Sequence, residues 1–103
     1  MTDLELNKAL ALAIGWRKDQ VSIQEYAGYA RVECFRVEHG LQIWMPFDYR
    51  EWRIVGPIAE RYNAFPDRCG HGWAAAVGNS LLTWVEADTP QKAIALAVIG
   101  GVK

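Results

Sequence analysis

The sequence predicts an α+β fold, a single domain over residues 1–103 in which a twisted antiparallel β-sheet is flanked by helices in the order α-β-β-β-α-β-β-α. Two segments, one at each end, space apolar residues at helical intervals behind capping residues. Between them lie short runs in which apolar and polar residues alternate, the period of a half-buried strand. Turn residues suited to hairpins join several of these runs, and that order favours an antiparallel sheet covered by helices.

Thr2 with Glu5 three residues later reads as a capping box, and Leu6, Leu10, Ala13 and Ile14 continue at helical spacing until Gly15 offers a stop. After the polar turn Arg17-Lys18-Asp19-Gln20, Val21 and Ile23 alternate with polar residues as a short strand, which Gly28 ends. From Tyr29 to Val37 one face carries Ala30, Val32 and Cys34, while Arg31, Glu33 and Arg36 leave the other side mostly polar. Glu38-His39-Gly40 reads as a hairpin turn, and Leu41, Ile43 and Met45 form a third strand closed by Pro46.

Asp48 with Glu51 forms a second capping-box pattern ahead of Trp52, Val55, Ala59 and Tyr62. Gly56-Pro57 interrupts that stripe, which predicts a short turn ending near Ile54 and a helix from about Pro57 to Asn63. The segment from Phe65 to Gly72 reads as a loop. Trp73 to Val77 and Leu81 to Ala87 then flank Gly78-Asn79 as a hairpin, and Asp88-Thr89-Pro90 caps a last helix carrying Ala93, Ile94, Ala97 and Val98.

With 51% hydrophobic and 22% charged residues the chain has the composition of a folded domain, and at 103 residues it is long enough for one core. Eleven basic and twelve acidic residues leave a net charge of −1, so sequence-independent nucleic-acid binding is not expected. Arg50, Arg53, Arg61 and Arg68 are interleaved with Asp48, Glu51, Glu60 and Asp67, the pattern of a mixed surface. Cys34 and Cys69 are too few for a disulfide framework, and no segment reads as a signal peptide or a membrane span. The expectation is a cytoplasmic protein with no membrane association.

Catalytic machinery is not recognisable, and no cofactor is called for. Cys69 and His71 are the only close pair of metal-ligand types, without the spacing of a zinc site, and the same residues with Cys34 and His39 are all that a Cys–His mechanism could use. Glu5, Asp48, Glu51, Glu60 and Asp88 sit near helix beginnings, where a carboxylate caps amides. Gly70-His71-Gly72 is too short for a phosphate loop. The chain therefore reads as a non-enzyme with no metal site.

Its excess is aromatic: five Trp, four Tyr and three Phe. Rings of this size serve cores, yet the run from Trp44 to Arg53 holds more of them than one face can bury. Trp44, Phe47, Tyr49, Arg50, Trp52 and Arg53 are accordingly the candidate ligand-binding residues, rings for stacking and arginines for phosphate or carboxylate.

Several short motifs, in their order, resemble a family of small tailed-phage and prophage proteins that includes the NinX-like group and the phage alpha-beta-alpha sandwich domain. Leu4-Glu5-Leu6-Asn7 with Ala11 and Gly15 is similar to its opening helix. Trp52 with Gly56-Pro57-Ile58 and Glu60 is similar to its central motif, Trp73-Ala74-Ala75 to its strand, and Asp88-Thr89-Pro90 with Ala93 to its closing helix. The segment 21–45 has no counterpart. The resemblance implies a phage accessory protein in the cytoplasm of an infected bacterium, and brings no catalytic residues.

Two functions follow as expectations. One is a counter-defence sponge that sequesters a nucleotide-like small molecule without chemistry, which needs a concave pocket with opposed rings and Arg50 or Arg53 directed inward, completed by homo-oligomerisation. The other is an inhibitor or adaptor that docks on a host or phage protein, which needs an exposed and flatter apolar patch.

Overall fold

The computed structural model describes residues 1–102 as two compact units, 1–48 and 49–102. The described residues hold three α-helices and two three-stranded antiparallel sheets, the mixed α+β class that the sequence predicts. The element order is close to the expected one.

The first unit contains α1 (Asp3–Ala13), β1 (Val21–Tyr26), β2 (Tyr29–Glu38) and β3 (Leu41–Pro46). The Thr2 hydroxyl accepts from the Glu5 amide at 3.2 Å while the Glu5 carboxylate accepts from the Thr2 amide at 3.1 Å, so both halves of the capping box form. Gly15, at φ 111°, turns the chain away in a conformation that L side chains resist. The sheet is a meander, β1-β2-β3, with Cys34 opposite Val21 on one side and Met45 on the other. α1 packs on β1 and β2, where Leu6, Leu10, Val21, Val32 and Cys34 are buried. Each Leu or Val so removed from water contributes about 1.5–3 kcal/mol before the entropy of ordering it.

The second unit contains α2 (Trp52–Tyr62), β4 (Asp67–Cys69), β5 (Gly72–Ala75), β6 (Val85–Ala87) and α3 (Pro90–Gly101). α3 begins as the sequence predicts: Thr89 is the N-cap, its hydroxyl accepts from the Lys92 amide at 3.2 Å, and Pro90 stands in the first turn. Ala93 and Ala97 pack on Ala75, with Trp73, Val77, Val85 and Ala87 around them. Small residues on both sides let helix and sheet approach closely. β5 is paired on both edges, by β4 and by β6.

Five details differ from the sequence reading. The strands divide into two sheets, because β5 spends its hydrogen bonds on β4 and β6 and the first meander stops at Pro46. Part of the expected loop, Asp67–Cys69, is a strand, turned back at Gly70-His71 so that Cys69 faces Gly72. α2 runs unbroken through Gly56-Pro57. A residue before proline resists helix because its Cβ meets the proline ring, and glycine has no Cβ to meet it. The Asp48/Glu51 capping box does not cap α2: the helix starts later, Glu51 is its N-cap with no side-chain cap bond, and the Glu51 carboxylate pairs with Arg53 instead. Finally, Gly78-Asn79 is no tight hairpin.

That last connection is built from two short 3-10 turns, Val77–Asn79 and Leu81–Thr83. Thr83 ties them together, its hydroxyl accepting from the Val77 amide at 2.8 Å and donating to the Ser80 carbonyl at 3.0 Å. Gly78 takes φ 58° and donates its amide to the Asn63 carbonyl at 3.0 Å.

Candidate functional site

The six residues singled out in the sequence do not share one environment. Phe47 and Tyr49 are buried side chains, Phe47 in the first unit and Tyr49 in the second. Trp44 lies on β3, 39% exposed, its ring tilted against Phe35 with centroids 4.7 Å apart. Trp52 opens α2 and is 52% exposed. Arg50 is exposed and its backbone carbonyl accepts from the Gln91 side chain at 3.2 Å. Arg53, also exposed, is held by Glu51. The available rings are therefore Trp44 and Trp52.

A group that the sequence reading did not single out lies on the sheet of the first unit. Register places Tyr26, Tyr29, Arg31, Glu33, Phe35 and Trp44 on one face, opposite the face that carries Val21, Val32 and Cys34. The Ala27-Gly28 turn, with Gly28 at φ 87°, brings Tyr26 back opposite Tyr29, and their rings stack at 5.1 Å with 19° between planes. Glu33 is buried, and its carboxylate accepts from the Tyr26 hydroxyl and from Arg31 Nε, the latter at 2.7 Å. The Arg31 guanidinium lies 4.9 Å from the Tyr26 ring centre.

The Tyr26 hydroxyl first, and then the Arg31 guanidinium, hold the Glu33 carboxyl below its ordinary range, while the same bond pushes the Tyr26 phenol up. A depressed carboxylate adds stability that is complete above the ordinary glutamate range and is lost as pH falls through the lower folded value. Tyr26→Phe is expected to move the Glu33 titration back up toward that ordinary range, as read by carbon NMR of the carboxyl across acid pH. An unmoved titration would mean that the hydroxyl does not hold the carboxylate.

In the second unit, Leu81 is 83% and Leu82 97% exposed on the turn that Thr83 ties. Phe65 and Trp84 are also exposed, and with Leu81, Asp67 and Ala74–Ala76 they line a small cleft of ≈ 120 Å³. The residues that read as the start of a strand thus present their side chains to water beside two aromatic rings. The Gly78-Asn79 hairpin signal was the wrong guide because two 3-10 turns, and not a sheet, set their direction.

A second, more open hollow of ≈ 460 Å³ lies along Cys69–Trp73, Glu86 and Ala87. There the Cys69 thiol donates to the Glu86 carboxylate at 3.1 Å, a bond that pushes the thiol's pKa up and keeps the sulfur protonated. That is the opposite of the activation a cysteine nucleophile needs. Cys34 is free and buried, its thiol pushed up to about 11 by burial. No three His, Cys, Asp or Glu side chains come together to hold a metal ion among the described residues, and no described helix is long and apolar enough to cross a membrane. No family model and no curated protein matches this chain.

Proposed function

We propose that this protein is a non-catalytic binding module that docks a protein partner through the apolar turn of its second unit, acting as an inhibitor or adaptor. One observation carries the reading: Leu81, 83% exposed, lines a cleft with exposed Phe65 and Trp84, and Leu82, next to it in the chain, is 97% exposed. Single exposed aliphatics need no explanation, but adjacent leucines beside two rings keep apolar surface in water that a partner would remove. Aromatic anchors with aliphatic neighbours are the composition of an interface centre. The phage resemblance supplies the setting, an accessory protein whose partner is a host or phage factor. Self-association, expected from the sequence as the means of completing a ligand pocket, is kept as a separate part of the proposal.

Sequestration of a small nucleotide-like molecule is the second reading, and the stacked Tyr26 and Tyr29 beside Arg31 favour it, since rings and a guanidinium suit a base and its phosphate. A thermal-shift series with nucleotides tests it, because a ligand bound only to the folded state raises the melting temperature.

For the docking reading, Leu81→Ser with Leu82→Ser is expected to weaken partner binding at least tenfold while stability stays within about 0.5 kcal/mol per substitution, since neither side chain is buried. The readout is retention of a bacterial lysate component on immobilised wild type and double variant, with circular dichroism confirming the fold of both. Equal retention by the two would sink the reading.

A further inference from the structure

β3 is an edge strand, paired only with β2. The turn before it decides which of its backbone groups that pairing uses. His39 and Gly40 take φ of 50° and 79° and Glu38 faces Leu41, the geometry of a two-residue primed hairpin whose closing pair exchanges hydrogen bonds. Alternation then commits Leu41, Ile43 and Met45 to β2. The Phe47 amide, donating to the Val32 carbonyl at 2.8 Å, keeps the same phase beyond the strand. Gln42 and Trp44 therefore point their N–H and C=O groups away from the sheet.

Beyond its ladder with β2, Leu41–Pro46 makes no backbone hydrogen bond among the described residues. Leu41 is 69% exposed, and Gln42 and Trp44 are exposed as well. No residue of the strand is charged, so apart from Pro46 at its end it lacks the features that keep an edge from pairing.

We propose that β3 of a second copy of this chain occupies this edge, antiparallel across a two-fold axis at Ile43. Gln42 then faces the partner's Trp44 and Trp44 the partner's Gln42, and each such pair exchanges two hydrogen bonds, which uses every outward N–H and C=O of both residues. Pro46, which has no N–H, is not called upon. On one face Ile43 meets its own copy and Leu41 meets the partner's Met45, while on the other Trp44 lies beside the partner's Gln42. The strand is thus its own complement in hydrogen bonding and in apolar pattern, and no like charges meet. A strand-to-strand contact of this kind is smaller than a standard interface, so the dimer dissociates on dilution. This gives the self-association stated above a surface in the first unit, separate from the leucine turn of the second.

The test is analytical ultracentrifugation from micromolar to near-millimolar concentration. The mass of wild type is expected to rise from the 11.6 kDa of one chain toward twice that value. Gln42→Pro, which removes only an outward N–H, is expected to stay at one chain throughout with an unchanged circular dichroism spectrum. In a Cys69→Ser background, Ile43→Cys is expected to cross-link to its own copy on mild oxidation, because a facing pair without hydrogen bonds sits at about 4.5 Å between Cα atoms and a disulfide takes about 4.4–6.8 Å. Gln42→Cys is expected not to. A wild type of one-chain mass at every concentration, a folded Gln42→Pro that still dimerises, or an Ile43→Cys that does not cross-link would each overturn the proposal. The cross-link does not depend on Gln42→Pro folding, and Leu81→Ser with Leu82→Ser is expected to dimerise as wild type does, so loss of partner docking and loss of self-pairing are read separately.

Discussion

Ile94→Ala is expected to cost about 2–5 kcal/mol, the range for deleting buried branched carbons when the surroundings close only partly over the space. Ile94 has no exposed surface, and its neighbours Ala93, Ala95, Ala97 and Val98 on α3 are buried too. A domain stable by about 5–15 kcal/mol would give up a large share of its margin. Urea titration followed by tryptophan fluorescence measures it as a fall in midpoint. A change below about 0.5 kcal/mol, the scale of a surface substitution, would show that the side chain is not enclosed. Leu82→Ala is the matched control, an aliphatic residue of the same unit already in water.

Gly72→Ala is the second large effect. A Cβ at this position would lie 2.5 Å from the Ala87 carbonyl oxygen, a separation that requires something to shift. The obstacle is backbone, and it belongs to the end of β6, next to the Asp88-Thr89 entry of α3. Relief therefore means pushing β5 from β6 or displacing the cap of α3. Overpacking costs about 1–3 kcal/mol where side chains can yield, and here the yielding part is main chain. For a domain of this size each kcal/mol lowers the melting temperature by about 4–8 °C. Calorimetry is expected to show a drop of that order, with faster hydrogen exchange at Trp73–Ala75. An unchanged melting temperature would contradict the close approach of these strands.

The parts of this fold that were legible in the sequence are those decided within a few residues. Thr2 with Glu5, Thr89 with Pro90, and the alternation from Tyr29 to Val37 each specify their own local geometry. Asp48 with Glu51 has the same spacing as Thr2 with Glu5, but Arg53 competes for the Glu51 carboxylate, and a pattern match does not weigh competitors. Gly56-Pro57 is a helix breaker by rule and is accommodated because the glycine removes the clash that the rule describes.

For the candidate site, composition pointed to aromatics without showing which are buried. Phe47 and Tyr49 went inside while Phe65 and Trp84 did not, a division that depends on the register and turns of each unit. The Tyr26, Arg31 and Glu33 group had a readable signal in the polar face of β2. Its closure by Tyr26 needed the exact length of the Ala27-Gly28 turn.

The two cysteines give the protein a built-in clock. With a thiol pKa of about 11 and almost no exposed surface, Cys34 carries thiolate at neutral pH on the order of one molecule in ten thousand, behind a helix and a sheet. Cys69, at the turn of a short hairpin in the second unit, is only partly buried and does not wait on the first unit to open. In a mixture with an alkylating agent the first label marks accessibility and the second marks each opening of residues 1–48. The interval between them reports how long the first unit stays shut.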